Sequence, residues 1–185
     1  MKEGEIKFDR VTWLGGFGIL ALLAIMASGL LAPRMGHGPG VRTRAIAAGL
    51  ESALGSFEEE YGHLPDVGSN AFDCDDAQGC LLARILLGKE DDGSQAQNPR
   101  KLPFLSVGIT KSAARAGLLI GTEGEVLGIY DGWGEPFEIL LRKPGERGIT
   151  LVHRGKTVTL EQPAVVFSKG KDRIAGTKDD VRTWE

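Results

Sequence analysis

Histidine and cysteine are scarce in this chain. Its 185 residues include three histidines and two cysteines. His37, His63 and His153 are scattered without ligand spacing, so Cys74 and Cys80 lack the two further ligands that a structural zinc site takes. Gly-x-Ser-x-Gly is absent, which removes the nucleophile elbow and leaves Ser168 without catalytic context. Asp75-Asp76 lacks the EF-hand pattern. The formal net charge is only −3, and there is neither a basic patch nor an aromatic ladder, so nucleic acid is not an expected partner. No internal repeat occurs. The Glu58–Glu60 run reads as a solvated helix face, and His63 as a helix-end residue with no catalytic duty. An enzyme is not expected.

The two cysteines bracket a short acidic stretch, Cys-Asp-Asp-Ala-Gln-Gly-Cys. A pair at this spacing can close a small disulfide loop in an oxidising compartment; reduced structural thiols and a reactive thiol are the other readings. The disulfide reading favours a body outside the cytoplasm.

Charge is missing altogether from Val11 to Ala32. At about 1.5 Å per residue this stretch is long enough to cross a hydrocarbon core about 30 Å thick. It is apolar on every face, unlike a buried soluble helix, and longer than the core of a signal peptide. Ala27-Ser28-Gly29 keeps a cleaved signal as the alternative. The organisation read from the sequence is a short N-terminal leader or cytoplasmic tail (1–10), a transmembrane helix (11–32), a Pro/Gly hinge (33–40) and an extracytoplasmic body (41–185).

In the body, Ile46, Leu50, Leu54, Phe57 and Tyr61 recur at three- and four-residue steps, predicting an amphipathic helix over Val41–Tyr61 that Gly62 and Pro65 end. A loop carrying the cysteines and a short apolar helix over Leu81–Leu87 follow, and Lys89–Pro99 reads as an exposed loop. Strand-like runs then alternate with turns: Glu125–Tyr130, Phe137–Arg142, Ile149–His153, Lys156–Leu160 and Ala164–Ser168. The expected fold class is α+β: an N-terminal transmembrane helix, then a long helix packed on a small antiparallel sheet.

The last eighteen residues, Ser168–Glu185, carry Asp172, Asp179 and Asp180 in a Gly-punctuated loop that ends on Trp184. Carboxylates and turn carbonyls are hard oxygen ligands of the kind calcium takes. Brought together without a cation, the aspartates repel one another; the plainer reading is a solvated charged terminus. Trp184, next to the end, predicts that the tail folds back and docks.

Taken in order, the apolar N-terminal segment, Tyr61-Gly-His-Leu-Pro65, Asp131-Gly-Trp-Gly-Glu-Pro-Phe137 and the Ser168-Lys-Gly-Lys-Asp…Asp179-Asp-Val-Arg-Thr-Trp184 ending resemble the major pseudopilin of type II secretion systems and its relatives among type IV filament proteins. The likeness spans most of the chain outside residues 66–120. It implies a pilin-like fold and a calcium-stabilised C-terminal loop with Asp172 and Asp179 as acidic ligands and Asp180 as a further candidate. It also implies Trp133 and Trp184 as clamps, and partners among other pseudopilin or pilin-like subunits, inner-membrane components of the secretion machine and membrane lipid. The implied location is the bacterial inner membrane, with a single pass. Arg173 stands where the family often has Gly. At the start of the apolar segment Gly15 stands where the family has Glu, and Arg10 where it has Gly; a second register over Gly16-Phe17 puts Ala21 in place of Glu. Neither register restores both groups, so processing by a prepilin peptidase is not expected. A membrane-tethered binding module that never polymerises is the alternative function.

Overall fold

The computed structural model describes residues 38–91, 93, 95–153 and 155–184. The expected transmembrane helix, 11–32, and the leader lie outside the described residues. Among the described residues no helix is long and apolar enough to cross a membrane.

Helix α1 runs Pro39–Tyr61. It starts two residues earlier than its apolar stripe suggests, because Pro39 occupies the first turn, where a missing N–H costs nothing and a fixed φ suits the helix. Gly62, in the left-handed region at φ 76°, ends it, its N–H donating to Glu58 O at 2.8 Å. Leu50, Leu54 and Phe57 are fully buried, and Thr43, Ala47 and Ala53 complete the inward face. Each of the three large side chains contributes about 1.5–3 kcal/mol by leaving water. Ile46 and Tyr61 flank this face half-buried. Glu58 and Glu60 are not purely solvated: they form ion pairs with Arg142 and Arg100.

Helix α2 spans Ala77–Leu86. Asp76 caps it by accepting from Gly79 N at 2.7 Å, so the helix begins before Leu81 and carries Cys80 with it. The strands are β1 (Ala71–Asp73), β2 (Ile109–Thr110), β3 (Gly117–Ile120), β4 (Val126–Tyr130), β5 (Glu138–Leu141), β6 (Ile149–His153), β7 (Lys156–Leu160), β8 (Ala164–Ser168) and β9 (Val181–Arg182). They form an antiparallel sheet in the order β1-β5-β8-β9, a second sheet β2-β3-β4 whose first pair is parallel, and a β6–β7 hairpin.

The expected architecture of a long helix packed on a small antiparallel sheet is therefore corrected. The described residues build two helices and three sheets, and helical cover is divided: α1 packs on β8 and β9, while α2 packs on β4 and β1. The physical reason lies in residues 66–120, whose apolar residues need burial of their own. Leu82, Ile85 and Leu86 of α2, with Leu118 and Ile129 of the second sheet, join the same buried cluster as Leu50, Phe57, Phe137 and Val166.

In the Lys89–Pro99 loop, Lys89, Asp91, Gly93, Gln95 and Pro99 are exposed as expected, and Asn98 is the exception. Asn98 is buried: its amide donates to Ile85 O and Leu102 O, both at 2.8 Å, and its Oδ1 accepts from Tyr61 O–H at 2.8 Å. One side chain thus closes the end of α2 over the end of α1.

Candidate functional site

The tail leaves β8 at Ser168, which is fully buried, and turns at Gly170. Gly170 has φ 69°, and a Cβ there would overlap Asp179 O, so only glycine suits this crossing of the loop's two arms. Arg173 also occupies the left-handed region, at φ 62°. Here the structure explains why a glycine would be at home.

Each of the three aspartates closes the loop on a local donor. Asp172 Oδ1 accepts from Ile174 N at 2.9 Å, and Asp172 N donates to Asp179 Oδ2 at 3.0 Å. Asp179 Oδ1 accepts from the Thr177 hydroxyl at 2.7 Å. Asp180, which is buried, accepts from Gly176 N at 2.9 Å, and its other oxygen stands 3.3 Å from Thr177 Oγ1. Thr177 thus sits between the carboxylates of Asp179 and Asp180, while the Asp172 carboxylate folds back on its own turn. The Thr177 hydroxyl, then the Asp172 N–H, hold the Asp179 carboxyl down at about 2, so it is ionised across the physiological range. The mutual repulsion expected of these residues is met by donors inside the loop.

This arrangement fits a hard cation in part. Among the described residues no group of three or more His, Cys, Asp or Glu side chains converges to hold a metal ion. The loop does offer carboxylate oxygens at Asp179 and Asp180 with unused lone pairs, a third carboxylate at Asp172, and turn carbonyls, all ligands of the type calcium takes.

Beneath the loop lies a junction that the sequence did not single out. Asp131 is fully buried, and its Oδ1 accepts from Trp133 N at 2.8 Å and Glu135 N at 3.0 Å. Its Oδ2 accepts from Ser168 O–H at 2.6 Å, and Ser168 Oγ accepts in turn from Gly170 N at 3.1 Å. The next residue, Gly132, donates its N–H to Thr43 Oγ1 at 2.9 Å, and Thr43 donates its hydroxyl proton to Pro39 O at 2.8 Å. A Cβ on Gly132 would stand 2.6 Å from Pro39 Cα. The start of α1, the Asp131–Pro136 turn and the root of the tail therefore meet at one buried point. Arg173 closes it from outside, pairing with Glu135 at 3.1 Å and donating to Trp133 O at 3.2 Å. The available signal was the Asp-Gly pair, since Asp is a residue whose side chain caps its own turn.

The two tryptophans lie where clamps belong. Trp133 packs half-buried on the core. Trp184 stacks its ring edge-on to His153, with centroids 5.9 Å apart, and tilted on Phe167 at 6.2 Å, under the Arg182 guanidinium. His63 is exposed, with Nδ1 2.9 Å from Leu64 O. Cys74 and Cys80 are free thiols, the first buried and the second half-buried. Ser168 and Asp131 have no exposed surface, so their hydroxyl–carboxylate pair is out of reach of a substrate. What the arrangement accomplishes is mechanical: it fixes a charged loop to the start of a helix. No protein-family model, no curated protein and no solved structure matches this chain.

Proposed function

We propose that this chain is a pseudopilin-like structural subunit of a type II secretion or type IV filament machine. Residues 11–32 hold it in the bacterial inner membrane, and the described body lies outside the cytoplasm. Its partners are other pseudopilin or pilin-like subunits and inner-membrane components of the machine. The observation that carries this reading is the junction of turn and tail. Two of the segments that resemble the family, Asp131–Phe137 and Ser168–Trp184, are joined by Asp131–Ser168 and by Arg173 with Glu135 and Trp133. A loop fixed in this way presents a constant face to a neighbouring subunit. Calcium bound by Asp179, Asp180 and Asp172 with turn carbonyls would cancel the loop's charge and stiffen it further.

The test is calorimetry and thermal melting of the detergent-solubilised full-length chain with calcium. Calcium at 100 times its dissociation constant adds about 2.7 kcal/mol of stability. The gain is expected in the wild type and is lost in Asp172→Ala, Asp179→Ala and Asp180→Ala. Heatless mixing and unchanged melting would remove the metal from the proposal.

A membrane-tethered binding module that does not polymerise is the second reading. The residue before α1 favours it: Gly38 is extended, at φ −54° and ψ 158°, and Pro39 is the first residue of α1. An assembly assay separates the two readings. Filaments or crosslinked ladders on overexpression support the subunit, and a monomer under the same conditions supports the module.

A further inference from the structure

We propose that Cys74 and Cys80 form a dithiol that closes reversibly to an intramolecular disulfide, a covalent staple between the end of β1 and the first turns of α2, by exchange with a disulfide donor such as oxidised glutathione. The inference is independent of whether the chain assembles.

Backbone packing carries it. Cys74 follows β1 directly and is pinned to β5's approach by its N–H, which donates to Phe137 O at 2.7 Å. Cys80 is fixed in α2 by its N–H to Asp76 O at 2.9 Å. Between them Gly79 lies flat against Cys74: a Cβ on Gly79 would stand 2.5 Å from Cys74 Cα and 2.7 Å from its carbonyl carbon, and would overlap Asp73 O. Adding a C–C bond of about 1.5 Å puts Gly79 Cα within about 4 Å of Cys74 Cα, and one further trans peptide puts Cys80 Cα within about 8 Å. Disulfides span Cα separations of about 4.4–6.8 Å, so this bound admits bridging and at its upper limit of about 8 Å asks α2 to move toward β1 by about 1 Å. The glycine is what permits the approach; any side chain at position 79 would drive helix and strand apart.

The environments of the two thiols set the order of events. Cys74 is only 1 % exposed, whereas Cys80 is half-buried and open to a donor. Burial, then the carboxylates of Asp75 and Asp76, raise the Cys80 thiol above its ordinary value. Burial also pushes Cys74 well up, with Asp73, Asp75, Asp76 and Cys80 adding to it. The reactive thiolate is therefore scarce at neutral pH and exchange is slow. In the first step Cys80 gives up its proton to solvent and attacks the donor disulfide, forming a Cys80–glutathione bond and releasing one glutathione thiolate. In the second, Cys74 loses its proton and attacks Cys80 Sγ, and the second glutathione leaves. The protein dithiol is oxidised by two electrons, and one donor disulfide is reduced to two thiols.

Intact mass spectrometry of the full-length chain in detergent, incubated with oxidised glutathione, tests this. The wild type is expected to lose two hydrogens, retain no glutathione, and return to the starting mass with reductant. Cys74→Ser is expected to trap glutathione on Cys80, and Cys80→Ser to stay unmodified until denaturant exposes Cys74. Asp75→Asn, which removes a shared negative neighbour, is expected to speed the first step several-fold. Wild type that keeps glutathione on Cys80 without closing the ring overturns the proposal, as does Cys74 reacting in folded Cys80→Ser as fast as Cys80 does in Cys74→Ser. Peptide mapping of the wild type alone decides the matter if either variant fails to fold.

Discussion

Ser168 Oγ stands 2.6 Å from Asp131 Oδ2, and neither residue has exposed surface. The hydroxyl and two backbone N–H groups, of Trp133 and Glu135, hold a carboxylate that water does not reach. Removing the carboxylate in Asp131→Ala strands one buried donor, the Ser168 hydroxyl, and two part-buried ones. A buried donor left unpaired costs about 1–3 kcal/mol and the part-buried pair adds to it, so a loss of about 2–3 kcal/mol is expected in chemical denaturation. Ser168→Ala takes one donor from Asp131, leaves Gly170 N–H without its acceptor, and loses about 1–3 kcal/mol. An Asp131→Ala variant as stable as wild type would mean that the junction does not hold the tail.

Arg173 combines a strained backbone with two useful contacts. Arg173→Ala keeps the left-handed φ and loses the contacts, whereas Arg173→Gly loses the contacts and gains the conformational freedom. The left-handed region costs a non-glycine residue about 1 kcal/mol, so Arg173→Gly is expected to be more stable than Arg173→Ala by about that amount. Equal melting of the two variants would place the strain elsewhere.

Acid should loosen the tail before the core. The Asp179 carboxyl, held at about 2 by Thr177 and the Asp172 N–H, lies below its ordinary value. A group lowered on folding contributes stability that is present above the unfolded value, about 3.9, and is lost as pH falls through the folded one. Asp179→Asn is therefore expected to flatten the dependence of melting temperature on pH between about 4 and 2 relative to wild type. Superimposable profiles would show that these donors do not favour the ionised form.

Gly79→Ala is expected to be strongly destabilising. The added carbon meets the backbone of Asp73 and Cys74, which cannot rotate away as a side chain would. Overpacking of this kind costs about 1–3 kcal/mol or more, read as a fall in the denaturant midpoint at unchanged slope. A neutral outcome would show that α2 lifts off β1 at little cost.

Legibility followed periodicity and stopped where single polar side chains decide. The stripe through Leu50, Leu54 and Phe57 and the five runs from Glu125 to Ser168 match observed elements to within two residues, because burial imposes a period that the sequence must carry. Asp76 as a helix cap and Asn98 as a buried bridge left no periodic mark; each works by hydrogen bonds to backbone from parts of the chain that looked like loop. The same holds for Asp131, legible as a turn residue but not as the point where turn, tail and helix start converge. The architecture departs from the expected one for a related reason. Periodicity assigns apolar faces without naming their partners, and the second helix and sheet took part of the cover expected of α1. Asp172, Asp179 and Asp180 are legible by residue type, whereas the share of each that Thr177 and backbone amides already occupy is set by the folded loop.

The order of strands in the larger sheet has a consequence for synthesis on the ribosome. Its sequence β1-β5-β8-β9, with α1 packed on the last two strands, makes the earliest described helix wait for the final strand to emerge. A nascent chain that has not yet released β8 and β9 leaves much of the apolar face of α1 uncovered, and contacts between distant parts of a chain form slowly. Packing of α1 on this sheet thus waits for β8, and a stop before Ala164, which removes β8 and β9 together, leaves that face exposed to chaperones and proteases.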